Sequence, residues 1–271
     1  MAYVDEMFGL SGKTVAITGG GGVIAGALAE ALLKAGGSVS LWDINQREAE
    51  AARDRLAAST GAADRILPLA VDTMDEASVR AAAETTEQRL GGLHVLINCA
   101  GGNRGQTRFL QIDVKQFEEV LRLNLVAGLV VPTKVVAARW IETGTKGCII
   151  NLASMSSYIP LSGVWAYDAA KSAVMNLTMA TAKEFAAQGI RVNALAPGFF
   201  IGKQNKALLI DEKTGELTER GKKVIDRTPF GRFGDASELA GALLFLVSNS
   251  AAGFVTGVTV PVDGGYLVDN I

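Results

Sequence analysis

The chain has 271 residues, 26 of them basic and 28 acidic, for a formal net charge of −2. That length suits one large α/β domain with its own core, and the balanced charge, without a basic block, argues against nucleic acid or an anionic membrane surface as partner. A single histidine, His94, excludes any site built from several imidazoles, and the spacing suggests no other metal set.

The two cysteines, Cys99 and Cys148, lack metal or redox spacing and read as thiols in a reducing compartment. No charged-then-apolar leader and no uninterrupted apolar run near eighteen residues is present, so the expectation is a cytoplasmic protein that does not span a membrane.

Short apolar and β-branched runs alternate with longer helical patterns along the chain. Strands are predicted at residues 14–18, 38–42, 66–71, 95–99, 148–152, 191–196 and 258–262. Most are continuous apolar runs, the pattern of strands buried on both faces of a parallel sheet. Helices are predicted at 24–35, 47–58, 76–90, 114–139, 166–187 and 237–247. Asp113 with Gln116, and Asp235 with Glu238, have capping-box spacing, and Gly36-Gly37 and Gly91-Gly92 mark helix ends. The alternation predicts a doubly wound α/β sheet with right-handed crossovers, as a single domain over 1–271. Residues 203–231 break the rhythm. They are long, charged and mixed, and an insertion there lies at the carboxyl ends of the strands, where it reads as a substrate lid.

The first strand runs into Thr18-Gly19-Gly20-Gly21-Gly22-Val23-Ile24. Glycines between a strand and a helix permit a tight turn and bring backbone N–H groups, at Gly19, Gly22, Val23 and Ile24, to a pyrophosphate. Asp43 ends the second strand. A carboxylate there hydrogen-bonds adenosine ribose hydroxyls and repels a 2′-phosphate, which predicts NAD over NADP. Further on, Tyr167 and Lys171 stand four residues apart at the start of a helical pattern, so they share one face. An ammonium near a phenol stabilises the phenolate and fits it for proton transfer at neutral pH. Ser154 lies 13 residues upstream of Tyr167, just past a strand, at the mouth of the same cleft.

With these pieces in order, the chain resembles the short-chain dehydrogenase/reductase family over essentially its whole length. The resemblance rests on Thr18-Gly19, Asn98-Cys99-Ala100-Gly101, Asn124, Ser154, Tyr167, Lys171, Asn193, Pro197-Gly198 and Asp263-Gly264-Gly265. It implies a Rossmann-like sheet of about seven parallel strands with helices on both faces, and NAD-dependent interconversion of a secondary alcohol and a ketone. It implies that Tyr167 is the proton donor or acceptor, that Ser154 polarises the carbonyl, and that Lys171 binds the nicotinamide ribose and lowers the Tyr167 pKa. Asn124 is implied to hold a water linked to Lys171. Asp72 and Thr73 are implied beside the adenine, Asn98, Ala100 and Gly101 along the adenosine side, and Pro197 and Gly198 near the nicotinamide. A homotetramer is implied as well.

The sequence departs from the family at several positions. Val23 and Ala25 stand where the turn usually has its second and third glycines, Cys99 replaces an asparagine, and Gly202 replaces a threonine.

The turn Gly19–Ile24, the run Pro197-Gly198-Phe199-Phe200 with Gln204-Asn205, and Thr214–Thr218 resemble a sugar-acid branch of the family, D-mannonate oxidoreductase or fructuronate reductase. A keto-uronate needs a cation and several hydrogen-bonding groups. Candidates are Asn103, Arg104, Lys203, Gln204 and Asn205, with Phe199 and Phe200 lining the pocket. A polyol is the companion substrate class to the sugar acid; the alternatives are a 3-ketoacyl or other small-ketone reductase, and a dinucleotide-sensing protein without turnover.

Overall fold

In the computed structural model, residues 2–202, 206–211 and 214–269 are described. Seven parallel strands form one sheet in the order β3-β2-β1-β4-β5-β6-β7. They are β1 (Thr14–Thr18), β2 (Ser38–Asp43), β3 (Ile66–Ala70), β4 (Val95–Asn98), β5 (Cys148–Leu152), β6 (Arg191–Pro197) and β7 (Thr259–Val262). The chain reverses its direction of travel across the sheet between β1 and β4, and this reversal opens a crevice at their carboxyl ends.

Alternation along each strand builds a core on each face of the sheet. Val15, Ile17, Val95, Ile97, Cys148 and Ile150 pack on one side, and Ala16, Leu96 and Ile149 on the other. The first side is covered by α1 (Val23–Lys34), α2 (Gln46–Thr60) and α7 (Ala240–Val247). The second is covered by α3 (Glu76–Leu90), α4 (Val114–Thr143) and α5 (Trp165–Phe185). Helix α4 is long and apolar enough to cross a membrane, but its apolar stretch is mostly buried inside the domain, as in a core helix. It also runs past residue 139, to a left-handed Gly144.

Asp75 and Asp113 cap α3 and α4 through their carboxylates, and Asp235 forms a full capping box with Glu238. Asn98 Nδ2 donates to Asn151 Oδ1 at 2.8 Å and to Thr133 Oγ1 at 2.9 Å, and Asn151 Nδ2 donates to Thr178 Oγ1 at 2.9 Å. This buried polar chain ties β4 and β5 to α4 and α5.

Two features differ from the sequence reading. A short helix, Tyr3–Phe8, precedes β1. It buries none of its own residues and is held by the Ser248 hydroxyl donating to the Met7 carbonyl at 2.5 Å, so no apolar stripe announces it. The excursion after β6 begins earlier than residue 203. A parallel bridge pairs Phe200 with Gly234, and Gly234 N donates to Phe199 O at 2.9 Å, so its two ends are fastened together. Within it, Ile210 pairs with Leu217, and Thr218 caps α6 (Glu219–Asp226).

Candidate active site

The crevice is lined first by the turn between β1 and α1. Gly19 has φ +65°, and a Cβ there would lie 3.0 Å from Ala100 Cα. The β1 end and the β4 end are joined by Thr18, whose Oγ1 accepts from Cys99 N and Ala100 N, each at 3.0 Å. The first-turn N–H groups of α1 have no carbonyl one turn back and open onto this crevice. Asp43 sits at the tip of β2, with Oδ2 accepting from Gly21 N and Oδ1 from Asn45 N, both at 2.9 Å.

Across the crevice, β5 delivers Ser154 and α5 delivers Tyr167 and Lys171. The Ser154 hydroxyl accepts from Ser156 N at 3.1 Å and stands close enough to the Tyr167 hydroxyl to lower its pKa. Lys171 is buried, and its Nζ lies 5.6 Å from the Tyr167 ring centre and donates to Leu152 O at 2.6 Å. Desolvation pulls the Lys171 ammonium down to about 8. Desolvation also pushes the Tyr167 phenol up, and the neighbouring Ser154 hydroxyl offsets part of that. The expected lowering of the Tyr167 pKa by Lys171 is therefore not seen in this arrangement. Burial raises the phenol instead, and the Lys171 ammonium is turned to a carbonyl.

Asn124 lies on a π-helical stretch of α4, Arg122–Val130. Such a stretch shifts the backbone bonding by one residue and commonly marks functional positions. Asn124 Nδ2 takes the carbonyls of Val120 and Gly102, at 2.9 and 2.7 Å, and its Oδ1 accepts from Gly102 N at 3.0 Å. A Cβ on Gly101 would meet Asn124 Oδ1 at 2.6 Å and Lys171 Nζ at 3.7 Å. Glycine at 101 thus lets the β4 loop pass between the two side chains.

Asn103 and Arg104 line a small pocket with Trp165 and Ala166, next to Tyr167 in the chain, and the remaining sequence candidates are spread more widely. Asn98 Nδ2 ties β4 to β5 and α4, while its Oδ1 is buried without a hydrogen-bond partner. Asp72 is exposed past β3, its Oδ1 accepting from Met74 N at 2.8 Å, with Thr73 beside it. Pro197 ends β6, and a Cβ on Gly198 would come within 2.6 Å of Asp263 Cα, so Gly198 permits a close approach to the chain after β7. Phe200 is buried in the core and packs against Gly234. Phe199 meets Tyr266 edge-on with ring centres 5.3 Å apart. Arg104 is exposed and paired with Glu119 at 3.3 Å, and Asn103 Nδ2 donates to Gly105 O at 2.8 Å. Lys203, Gln204 and Asn205 lie outside the described residues.

Sequence reasoning missed Tyr266, whose partner is far away in the chain. It also missed Cys99 as a neighbour of Lys171, with its thiol pushed up to about 11 by burial, and Asp168, buried with neither carboxylate oxygen hydrogen-bonded.

Comparison with known proteins follows the same outline. The family profile described as enoyl-(acyl carrier protein) reductase matches residues 21–267. An uncharacterised oxidoreductase, UxuB, of Bacillus subtilis is 39% identical, over 95% of this chain and 96% of its own. The 5-keto-D-gluconate 5-reductase of Escherichia coli K12 is 35% identical, over 98% and 99%. A Haemophilus influenzae structure with the provisional name D-mannonate oxidoreductase, solved with bound NAD, superposes with a TM-score of 0.87 at 34% identity, covering 97% of each chain. Structures of this kind hold NAD in some cases and NADP in others.

Proposed function

The chain belongs to the short-chain dehydrogenase/reductase family, whose members act on CH–OH groups with NAD(P), and from that premise we propose an NAD(H)-dependent oxidoreductase for a sugar acid of the D-mannonate/D-fructuronate type. One observation carries the chemistry: the Tyr167 and Ser154 side chains stand next to each other with Lys171 Nζ 5.6 Å from the phenol ring, at the carboxyl end of the sheet. The residues fit a dinucleotide. Side chains at Gly19 and Gly101 would collide with the β4 loop and Asn124, and the opened turn leaves α1 N–H groups for phosphate. Gly19, Gly22, Val23, Ile24, Asp43, Ala100, Gly101, Pro197 and Gly198 would hold it, together with Tyr167 and Lys171.

When bound, the nicotinamide supplies or accepts the hydride. Tyr167 Oη gives its proton to the carbonyl oxygen in reduction and takes it back in oxidation. Ser154 Oγ holds that oxygen in line. Lys171, poised near pH 8, presents positive charge to the phenol at neutral pH. Asn124 fixes the 101–102 loop against α4 and so keeps the Lys171 side of the crevice in shape.

Asp43 supports NAD because its carboxylate opposes a 2′-phosphate. The sugar-acid reading rests on the keto-gluconate reductase and mannonate-type relatives. In this reading the excursion from Phe200 to Gly234 covers the substrate as a lid. Unpaired Cys99 and Cys148 suit a reducing cytoplasm. Exposed Val130, Ile141, Met179 and Phe254 suit burial between subunits of a homotetramer, and sedimentation as a monomer would reject it.

The test is an NADH- and NADPH-oxidation screen over D-fructuronate, 5-keto-D-gluconate, small ketones and a 3-ketoacyl thioester. Turnover of a keto-sugar acid with a kcat/KM preference for NADH is expected. Activity confined to non-acid ketones overturns the substrate class, and a preference for NADPH overturns the cofactor.

A further inference from the structure

With Val23 and Ala25 where a dinucleotide turn usually has glycine, some other feature must set the path of this turn. Two bonds lay it on β2. Gly20 N donates to Trp42 O at 3.0 Å, extending the β1–β2 ladder past the Thr18–Trp42 pair. Gly21 N donates to Asp43 Oδ2 at 2.9 Å. The carboxylate is itself fixed, because Asn45 N donates to Oδ1 at 2.9 Å. The fit is close. A Cβ on Gly20 would lie 2.8 Å from Leu41 Cβ, and one on Gly21 would lie 2.7 Å from Glu48 Cβ and 3.1 Å from Asp43 Oδ2. Gly22 N then turns back to Gly19 O at 3.0 Å, and α1 starts at Val23.

We propose that Asp43 is a positioning residue for the glycine turn: its carboxylate holds Gly21 against β2 and thereby sets where the first N–H groups of α1 meet the pyrophosphate. An N–H donated to an ionised carboxylate is among the stronger hydrogen bonds. Here it replaces conformational guidance that glycines at 23 and 25 would otherwise give. Each carboxylate oxygen keeps a second lone pair, so the same group remains able to accept from a ribose hydroxyl. The two roles are then coupled. Removing Asp43 to admit a 2′-phosphate loosens the turn as well and weakens both cofactors. The proposal rests on the dinucleotide reading of the crevice.

The experiment separates the two roles with a ligand that lacks the ribose hydroxyls. Calorimetry measures ADP and 2′,3′-dideoxy-ADP on the full chain, as wild type, Asp43→Ala, Asp43→Asn and Gly21→Ala. Hydrogen exchange of residues 19–24 is followed without ligand. In Asp43→Ala, dideoxy-ADP is expected to weaken about tenfold, the scale of one charge-assisted hydrogen bond, and exchange of the turn is expected to rise. Asp43→Asn, which keeps one amide oxygen, falls between. Gly21→Ala pushes the turn off β2 with the carboxylate still present, and it is expected to reproduce the loss on dideoxy-ADP. Unchanged or tighter dideoxy-ADP binding in Asp43→Ala overturns the proposal, whatever happens to ADP. So does unchanged exchange of the turn. Wild type that fails to bind ADP sinks the dinucleotide reading instead, and the exchange result on ligand-free protein still decides the Asp43–Gly21 contact.

Discussion

The two sides of the crevice are built by different means. On the β1–β2 side the backbone does most of the work: glycines pressed against β2 and the β4 loop, N–H groups at a helix start, and one carboxylate holding a turn. On the β5–β6 side the side chains do it: Ser154, Tyr167 and Lys171 on a buried strand end and helix, and aromatic rings where the excursion after β6 meets the C-terminal turn. A backbone-built site is stiff and indifferent to the rest of the ligand, which suits a cofactor common to many enzymes. A site built from side chains on excursions is free to vary, which suits substrate choice.

The largest test of this division is Tyr167→Phe. It removes one oxygen from the side-chain half and leaves the turn intact. Turnover is expected to fall about 10²–10⁴-fold, the range of lost general acid–base catalysis. Affinity for NADH, measured by fluorescence titration, should stay within about twofold, since the backbone half carries most of the binding. Equal losses in both would erase the distinction.

How much of this was legible in the sequence follows from the same contrast. Strands buried on both faces show as apolar runs, and the shared helical face of Tyr167 and Lys171 shows in their spacing, so the fold and this juxtaposition were readable. Contacts that close only in space were not. Asp43 and Gly21 are 22 residues apart, and Phe199 and Tyr266 are further apart still. The pairing of Arg104 with Glu119, 15 residues on, is likewise invisible in the sequence. The π-helical stretch around Asn124 has the composition of any apolar helix. Nothing in Phe199-Phe200 says which ring turns into the core, and only the fold shows that Phe200 does.

Asp168 sharpens the contrast from the energetic side. It follows Tyr167 on α5, is buried, and has no hydrogen bond to either oxygen. Desolvation pushes its carboxyl up to about 6, and the nearby Leu161 amide offsets only part of this. A carboxyl raised in the folded state costs nothing while both states are protonated, and the penalty builds as pH rises from about 4 to 6. Asp168→Asn is therefore expected to stabilise the protein by roughly 2 kcal/mol at pH 8, with the gain fading between pH 6 and 4. Urea unfolding of both proteins across that range checks it. A gain independent of pH would mean that the carboxylate finds a partner in solution.

Tyr266→Ala tests the aromatic edge of the substrate half. The C-terminal turn touches both ends of the excursion, through the Phe199 ring and through Phe230 N donating to Gly264 O at 3.1 Å. An aromatic pair is worth about 0.5–1.5 kcal/mol, so KM for the sugar acid should rise about 2- to 10-fold with kcat and NADH affinity nearly unchanged. Tyr266→Phe should restore KM, because the contact needs a ring and not a hydroxyl. A fall in NADH affinity would place Tyr266 on the cofactor side.

The smallest expected effect lies away from the crevice, at the opposite edge of the sheet. His94 Nδ1 accepts from Thr14 N at 3.0 Å, and its backbone bonds to Thr14 and Cys148, joining β1, β4 and β5 where the strands begin. Acceptance requires the neutral ring, and burial, aided by Lys13, holds its pKa below the ordinary value. The unfolded chain then takes up a proton first as pH falls. The stability from this contact is whole above about pH 6.5 and is lost as pH drops below it toward the folded-state value. His94→Asn keeps an acceptor oxygen near the Nδ1 position but cannot be protonated. It should flatten the pH dependence of unfolding between pH 7 and 5, with a difference of about 0.5–1 kcal/mol, the net worth of one hydrogen bond. Catalysis at pH 7.5 should be unaffected, because His94 sits at the end of the strands where neither half of the crevice is built. A change in kcat with unchanged stability would require the two ends of the sheet to be coupled, and the division between a stiff backbone half and a variable side-chain half would then have to include the strand origins.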